Sequence, residues 1–240
     1  MSESGQRIHG DPSLEVVVEL AAPQADDRVL DVGTTVGATA FTLASSVASV
    51  EAVDNRLDTI DEARRLCREV GAENVTFSVA NLYGLPFPDG AFTLVTCRNA
   101  MHRFPDPINA LREMVRVLAA GGRIVVYDLV VTPELDRYLN ELARLSNPGH
   151  RRHSTRTEFL DQFAAAGLAM ADERTLRRTI DLEYWLDAAA VDAGMAGVIR
   201  GRLQELPLKV QTAIDLVVAD NLTSFSYDDA GFRLERVASD

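Results

Sequence analysis

The sequence of 240 residues is poor in cysteine, tryptophan and lysine: two cysteines, one tryptophan and, among 24 basic residues, the single lysine Lys209. Two cysteines, Cys67 and Cys97, exclude a disulfide framework and a cysteine-built zinc site. Both sit in apolar segments and read as small core residues of a reducing compartment, so a cytoplasmic location is expected. No apolar run approaches the ~18 residues that a membrane span needs. The polar stretch from Met1 to Pro12 lacks the apolar core of a signal peptide. There is no internal repeat and no low-complexity tract. Positive charge is also short: 36 acidic residues leave a net charge of −12, so phosphate backbones are repelled and no nucleic-acid partner is expected. Apolar residues make up 47% and charged residues 25%, which is enough for a folded chain with a sizeable core.

What is present alternates strand and helix. Leu14, Val17, Val18 and Ala21 mark one face of a helix over Ser13 to Ala22. The run Arg28 to Val32 reads as a buried strand, followed by a helix from about Gly37 to Ser46. Strands are predicted at Val50–Val53, Val75–Val79, Phe92–Thr96 and Arg123–Val130, the last after a break at Gly121-Gly122. Helices are predicted at Arg56–Val70, with Leu57, Ile60, Ala63, Cys67 and Val70 inward, at Pro107–Leu118, with Ile108, Leu111, Val115 and Leu118 inward, and from Pro133 onward. Apolar strands alternating with helices imply a parallel sheet covered on both faces, and right-handed crossovers imply a doubly wound α/β fold. Beyond Asn147-Pro148-Gly149, Thr155 and Glu158 form a capping box opening a helix that stops at Gly167. A sixth strand is predicted at Leu168–Arg177, two or three helices between Leu182 and Ala219, and a last strand at Phe232–Val237. The whole is expected to be one domain, with a core over about 13–131 and cap helices over about 132–166 and 181–220. The 182–220 stretch has too few large apolar residues for a core of its own.

In doubly wound folds ligands lie beyond the carboxyl ends of the strands. After strand one stand Asp31, Val32, Gly33, Thr34, Thr35, Val36 and Gly37, a turn expected to bring backbone N–H groups toward a ligand. Asp54, 21 residues beyond Gly33, can accept both hydroxyls of a ribose, and Asn81 can bond an adenine edge. As a set they describe a site for an adenosine-containing ligand. Each also has an ordinary role: Asp31 as a strand end, Asp54 as a cap for the Asn55-Arg56 turn, Asn81 as a turn residue.

At these positions the sequence is similar to a known family. Val29-Leu30-Asp31-Val32-Gly33 resembles the first motif of class I S-adenosylmethionine-dependent methyltransferases. Leu85-Pro86-Phe87-Pro88-Asp89-Gly90-Ala91-Phe92 resembles their L-P-F-P-D-x-S-F segment, and Arg116-Val117-Leu118 with Gly121-Gly122-Arg123 their R-V-L-K-P-G-G motif. The segment from Cys97-Arg98 through His102-Arg103-Phe104-Pro105-Asp106 is similar to the ubiquinone/menaquinone-biosynthesis branch, methyltransferase type 11. The resemblance implies a Rossmann-like, mostly parallel seven-stranded sheet with a small helical insertion near the C-terminus. It also implies S-adenosylmethionine as cofactor and a small-molecule acceptor. It places Gly33, Thr34, Thr35 and Gly37 along the methionine part, Asp54 with Asn55 at the ribose, and Asn81 and Leu82 at the adenine. Arg98 and Asn99 fall near the methionine group and His102 on the substrate side.

The sequence departs from the family pattern at Thr35, where the family has glycine, a residue free of steric cost at positive φ. An impaired cofactor loop would make the chain a binding protein or pseudoenzyme of the same fold. Otherwise the loop has shifted to keep Thr35 in an allowed region. A nicotinamide-dependent oxidoreductase is disfavoured because no G-x-G-x-x-G follows strand one. Methyl transfer is an in-line displacement that mainly needs alignment and exclusion of water. A general base is needed only for a weakly acidic nucleophile, and His102 is the candidate, with a helix-entry hydrogen bond as its structural alternative. His150, Arg151, Arg152, His153 and Arg156 cluster in an otherwise acidic chain. His150 and Arg151 are assigned to the substrate side, against the alternative of a solvated loop. Trp185 and Tyr184 read as core of the cap.

Overall fold

The computed structural model describes residues 11–219 and 222–237. In chain order the elements are α1 (Pro12–Ala21), β1 (Arg28–Val32), α2 (Ala38–Ala44), β2 (Ser49–Asp54), α3 (Leu57–Val70), β3 (Val75–Val79) and β4 (Phe92–Arg98). A 3-10 turn (Met101–Arg103) and α4 (Pro107–Val117) lead to β5 (Leu118–Val130), α5 (Asp136–Ser146) and α6 (Arg156–Ala165). Then come β6 (Leu168–Asp181), α7 (Leu182–Ala188), α8 (Ala193–Gln204), α9 (Leu208–Ala213), β7 (Val217–Ala219) and β8 (Leu222–Arg236). The sheet order is β3-β2-β1-β4-β5-β8-β6, with the short β7 pairing β8 as an eighth strand. β1 to β5 pair in parallel, the pattern expected from their unbroken apolar cores.

The chain forms two compact units. The first comprises the described residues up to Asp128, with Leu160–Arg174 and the residues from Gly231 on. The second comprises Leu129–Phe159 and Thr175–Ala230. Strands β6 and β8 each pass from one unit into the other. These boundaries differ from a core ending near 131 with caps at 132–166 and 181–220. The 182–220 stretch shares an apolar core with Leu135, Leu139, Leu142 and Phe225 of its own unit, and that core includes Leu182, Leu186, Ile199, Leu203 and Val210. The large side chains missing from 182–220 are supplied by α5 and β8.

In the first unit, Asp11 caps α1 by accepting the Ser13 N–H at 3.0 Å. The two later family-like motifs hold each other. The Arg116 guanidinium of α4 donates to the carbonyls of Leu85 and Phe87 at 2.9 and 2.8 Å and to Asp89 at 2.8 Å. Arg123 pairs with buried Asp27 at 2.6 Å near the start of β1. Both arginines therefore serve the scaffold.

Several expectations are corrected. In α3, Ile60, Ala63 and Leu66 are buried, while Leu57 and Val70 are exposed at the helix ends. In α4 the buried face is Ala110, Leu111, Met114 and Val117; of the predicted face Leu111 is buried, as is Leu118 where β5 starts, while Ile108 and Val115 are half-buried. Gly121-Gly122 does not precede β5 but lies within it. Phe92 pairs with Leu118 and Leu94 with Arg123, so extra residues bulge out, and Gly121 at φ +74° makes the bend. Pro133 stands before the helix, whose first residue is Asp136, because Thr132 closes a turn with the Leu135 N–H. β8 begins ten residues before the predicted Phe232.

Candidate functional site

The loop after β1 is built around two buried carboxylates. Asp31 pairs in register with Thr96 of β4, whose hydroxyl donates to Asp31 Oδ1 at 2.7 Å. Asp31 Oδ2 and Thr34 Oγ1 are buried with no hydrogen-bond partner among the described residues. Burial pushes the Asp31 carboxyl above the usual carboxylate range. Asp54, at the end of β2, is also buried. Its Oδ2 accepts the Thr35 N–H at 3.0 Å and its Oδ1 the Arg56 N–H at 3.1 Å, so the turn role expected as an alternative is present. Each oxygen retains lone-pair capacity for a further donor.

Four N–H groups of this loop are bonded within the protein. Gly33 and Thr34 donate to the Val53 carbonyl at 2.8 and 3.0 Å, Thr35 to Asp54, and Gly37 to the Thr34 carbonyl at 3.0 Å. The end of β2 takes three of these donors. The loop has not shifted to relieve Thr35, which sits at φ +50° between Gly33 at +72° and Gly37 at +91°. A β-branched residue there costs roughly 1–2 kcal/mol, and its bond to Asp54 holds it in place. The glycines also serve contact. A Cβ on Gly33 would lie 2.6 Å from the Ala100 Cβ, and one on Gly37 would lie 2.6 Å from the Phe77 ring.

Asn81 is exposed and its Oδ1 accepts the Tyr83 N–H at 3.0 Å, the turn role, while Leu82 is buried and Asn55 exposed. Arg98, at the end of β4, donates to Thr39 Oγ1, Asp11 Oδ2 and Ser13 Oγ. Asn99 holds φ +52° and donates its N–H to the Tyr127 carbonyl at 2.7 Å. Asparagine tolerates that conformation. A surface cleft of about 360 Å³, lined by Tyr83, Pro105, Asp106, Asn109, Arg112 and Glu113, includes none of the expected site residues.

His102 follows β4 in the 3-10 turn. Its Nδ1 lies 2.8 Å from Asp128 Oδ1, and its N–H donates to Asp128 Oδ2 at 3.2 Å. A side-chain dyad is therefore present, and the same carboxylate holds the His102 backbone N–H. Asp128 is 1% exposed near the end of β5. Sequence reasoning missed it, because Val125-Val126-Tyr127-Asp128-Leu129-Val130 reads as one apolar strand. The available signal was an acid at the carboxyl end of the strand beside β4.

In the second unit the basic cluster turns inward on itself. Arg152 pairs with Asp136 at 2.8 Å and Glu158 at 2.7 Å, and its guanidinium holds the Asp136 carboxyl below the usual range. His150 is buried, and its Nε2 lies 2.9 Å from Asn140 Oδ1, which also accepts the His153 N–H at 2.7 Å. Thr155 and Glu158 form the reciprocal capping box. Arg151 is exposed. The loop is thus neither a solvated turn nor a freely presented basic patch. Trp185 packs edge-on against Phe225, as a core residue should, but Tyr184 is 61% exposed and belongs to no core.

A family model described as a methyltransferase domain matches residues 30–126. The chain is 35% identical over 182 residues to an uncharacterized methyltransferase of Bacillus subtilis, covering 75% of this chain and 72% of that protein. A crystal structure of the YcgJ protein from that organism superposes with a TM-score of 0.89 at 30% identity, over 95% of this chain and 99% of that one. A demethylmenaquinone methyltransferase of Thermus thermophilus is 40% identical over 119 residues, about half of each chain. A geranyl diphosphate C-methyltransferase of Streptomyces coelicolor, solved with S-adenosyl-L-homocysteine, shares the fold at a TM-score of 0.65 and 20% identity, over 94% of this chain and 79% of that one. The chain belongs to the class I S-adenosylmethionine-dependent methyltransferases, with the Rossmann-like fold of that class. It is a methyl-transferring enzyme. Among the described residues no helix is long and apolar enough to cross a membrane.

Proposed function

We propose that the chain binds S-adenosylmethionine at the β1 loop and methylates a small molecule. The observation that carries this reading is the set of buried polar atoms after β1 and β2: Asp31 Oδ2 and Thr34 Oγ1, which face each other but make no hydrogen bond of ordinary geometry, beside the Asp54 carboxylate. Unpartnered buried polar atoms are costly, and a polar ligand that meets them recovers that cost. In this reading Asp54 accepts the ribose hydroxyls, Asp31 the ammonium group of the methionine part, and Leu82 lies along the adenine. Bound there, the cofactor supplies a methyl group on a sulfonium, a good leaving group for in-line displacement. The chain's own work is to fix the donor and exclude water.

His102 and Asp128 supply a base. In this reading Asp128 orients the ring through Nδ1, and the proton of the acceptor passes to the ring as the methyl group arrives. Such a base suits an acceptor whose nucleophilic atom keeps its proton until transfer.

A thermal-shift scan tests the cofactor reading. S-adenosylhomocysteine at a hundred times its Kd should stabilise the protein by about 2.7 kcal/mol, while NAD should not. Stabilisation by neither adenosine ligand would leave only a binding protein of the same fold. Once an acceptor is found, His102→Gln should lower turnover and leave S-adenosylhomocysteine affinity intact.

A further inference from the structure

One ion pair beside the β1 loop has no part in the scaffold motifs or in the base. Asp31 and Thr96 face each other across β1 and β4, and Arg98 follows Thr96 by two residues, on the same face of the strand. Its Nε donates to Thr39 Oγ1 at 3.1 Å, and its Nη1 to Ser13 Oγ and Asp11 Oδ2, both at 3.0 Å. The side chains of Arg98 and Asp11 are only 14% and 23% exposed. The other Asp11 oxygen caps α1 through the Ser13 N–H. One carboxylate thus starts a helix and neutralises the cation next to the loop.

We infer that Asp11 occupies the guanidinium face that the carboxylate of the cofactor's amino-acid end requires, so that Asp11 and the ligand compete for Arg98. The inference rests on the reading that S-adenosylmethionine binds at the β1 loop. Asp31 with its open oxygen and Arg98 on the same face present one negative and one positive group, the complement of a zwitterionic amino acid. The Arg98 charge acts on Asp31, which places the two groups within electrostatic reach of each other. A carboxylate grips arginine best through two parallel N–H bonds. Nη2 donates to none of the described residues, but its neighbour Nη1 is held by Asp11 and Ser13. An end-on grip through Nη1 and Nη2 therefore competes with the bonds that Asp11 and Ser13 hold on Nη1. Releasing the Asp11 bond leaves the α1 cap in place, because that cap uses the other Asp11 oxygen.

Calorimetry on the full chain separates competition from a merely structural role. The probes are S-adenosylhomocysteine and 5′-methylthioadenosine, which shares the adenosine and sulfur but has no amino-acid end. Asn is as good a helix cap as Asp, so Asp11→Asn removes the charge alone. It should tighten S-adenosylhomocysteine five- to twentyfold and change methylthioadenosine by less than twofold. Arg98→Gln should bring the two ligands to similar affinities. An equal change for both ligands in Asp11→Asn, no change, or a loss for S-adenosylhomocysteine overturns the competition. A measurement on the natural protein needs no variant to fold: the guanidinium nitrogen resonances of Arg98 should shift with S-adenosylhomocysteine and not with methylthioadenosine. Unmoved resonances at saturation overturn it as well. If neither ligand binds the natural protein, the cofactor reading itself fails, a result distinct from binding without the selective gain.

Discussion

Asp31 stands in one of the two segments that looked most functional in the sequence and Asp136 pairs with Arg152 of the other, and their surroundings push them in opposite directions. Asp31 is buried with one oxygen bonded to Thr96 and the other open, and burial raises its pKa. Asp136 meets the Arg152 guanidinium with both oxygens at 2.8 and 2.9 Å, and its pKa is lowered. Their neighbours differ likewise: one Asp31 oxygen makes no hydrogen bond of ordinary geometry, whereas Arg152 and Thr155 bond back to Asp136 and Glu158. A buried carboxylate oxygen left open is a better mark of a ligand than a charge already paired.

The sharpest way to break this comparison is to remove Asn140. Its Oδ1 serves both the His150 ring and the His153 N–H, and its amide reaches the His153 carbonyl at 3.1 Å. Asn140→Ala leaves at least two buried groups unsatisfied and should cost about 3 kcal/mol of stability. S-adenosylhomocysteine affinity should stay within twofold. Urea melts and calorimetry check both, and a variant of native stability would mean that the loop is not self-contained.

Asp54→Ala comes next. It should weaken S-adenosylhomocysteine by about 1–3 kcal/mol, the range for an unpaired buried polar group. Calorimetry showing unchanged affinity would remove Asp54 from the site. The same substitution frees the Thr35 and Arg56 N–H groups, so the melting temperature should fall as well.

Most of the parallel core was legible, because strands buried on both faces are unbroken apolar runs and β1 and β3 end where the pattern ends. Helix faces were less so. A face read from the first apolar residue catches only part of the buried stripe, as in α4, where Ile108 and Val115 are half-buried. The start of β8 escaped because Leu222-Thr223-Ser224-Phe225-Ser226-Tyr227 runs against the apolar pattern: Ser224 and Ser226 are polar yet buried, and Leu222 is apolar yet exposed. In the site, Asp31 and Asp54 were readable from their place after strands. The Asp128 partner of His102 was not, since no local pattern reports a contact across 26 residues.

Titration sharpens the opposition of the two aspartates. A carboxyl whose folded pKa lies above its unfolded value, near 3.9, binds more protons in the native state. Stability then falls as pH rises from that value to the folded pKa and stays lowered beyond it. Asp31→Asn should therefore stabilise the protein at neutral pH, on the order of 1 kcal/mol, and lose that gain near pH 3. Asp136 has the lowered pKa. Its contribution is full above about pH 4 and is lost as pH falls through the folded value. Asp136→Asn should destabilise at neutral pH and converge with the natural protein in acid. Melts across pH 3 to 7 test the pair. Curves that shift in the same direction would erase the contrast.

The smallest expected effect concerns Thr35. Its φ of +50° is one that glycine adopts freely and a β-branched residue does not. Thr35→Gly removes strain of roughly 1–2 kcal/mol. It also frees the unfolded chain, which returns about 0.4–1 kcal/mol of entropy. The net change in stability should be a gain of about 0–1.6 kcal/mol. Affinity is a separate matter. The Thr35 N–H bond to Asp54 is a backbone bond and survives the substitution, so the carboxylate stays where the ribose would meet it. S-adenosylhomocysteine affinity should therefore change by less than tenfold, which is about 1.4 kcal/mol. A larger gain, starting from negligible binding by the natural protein, would mean that the Thr35 side chain fills ligand space. The strained loop would then mark a lost site rather than a poised one.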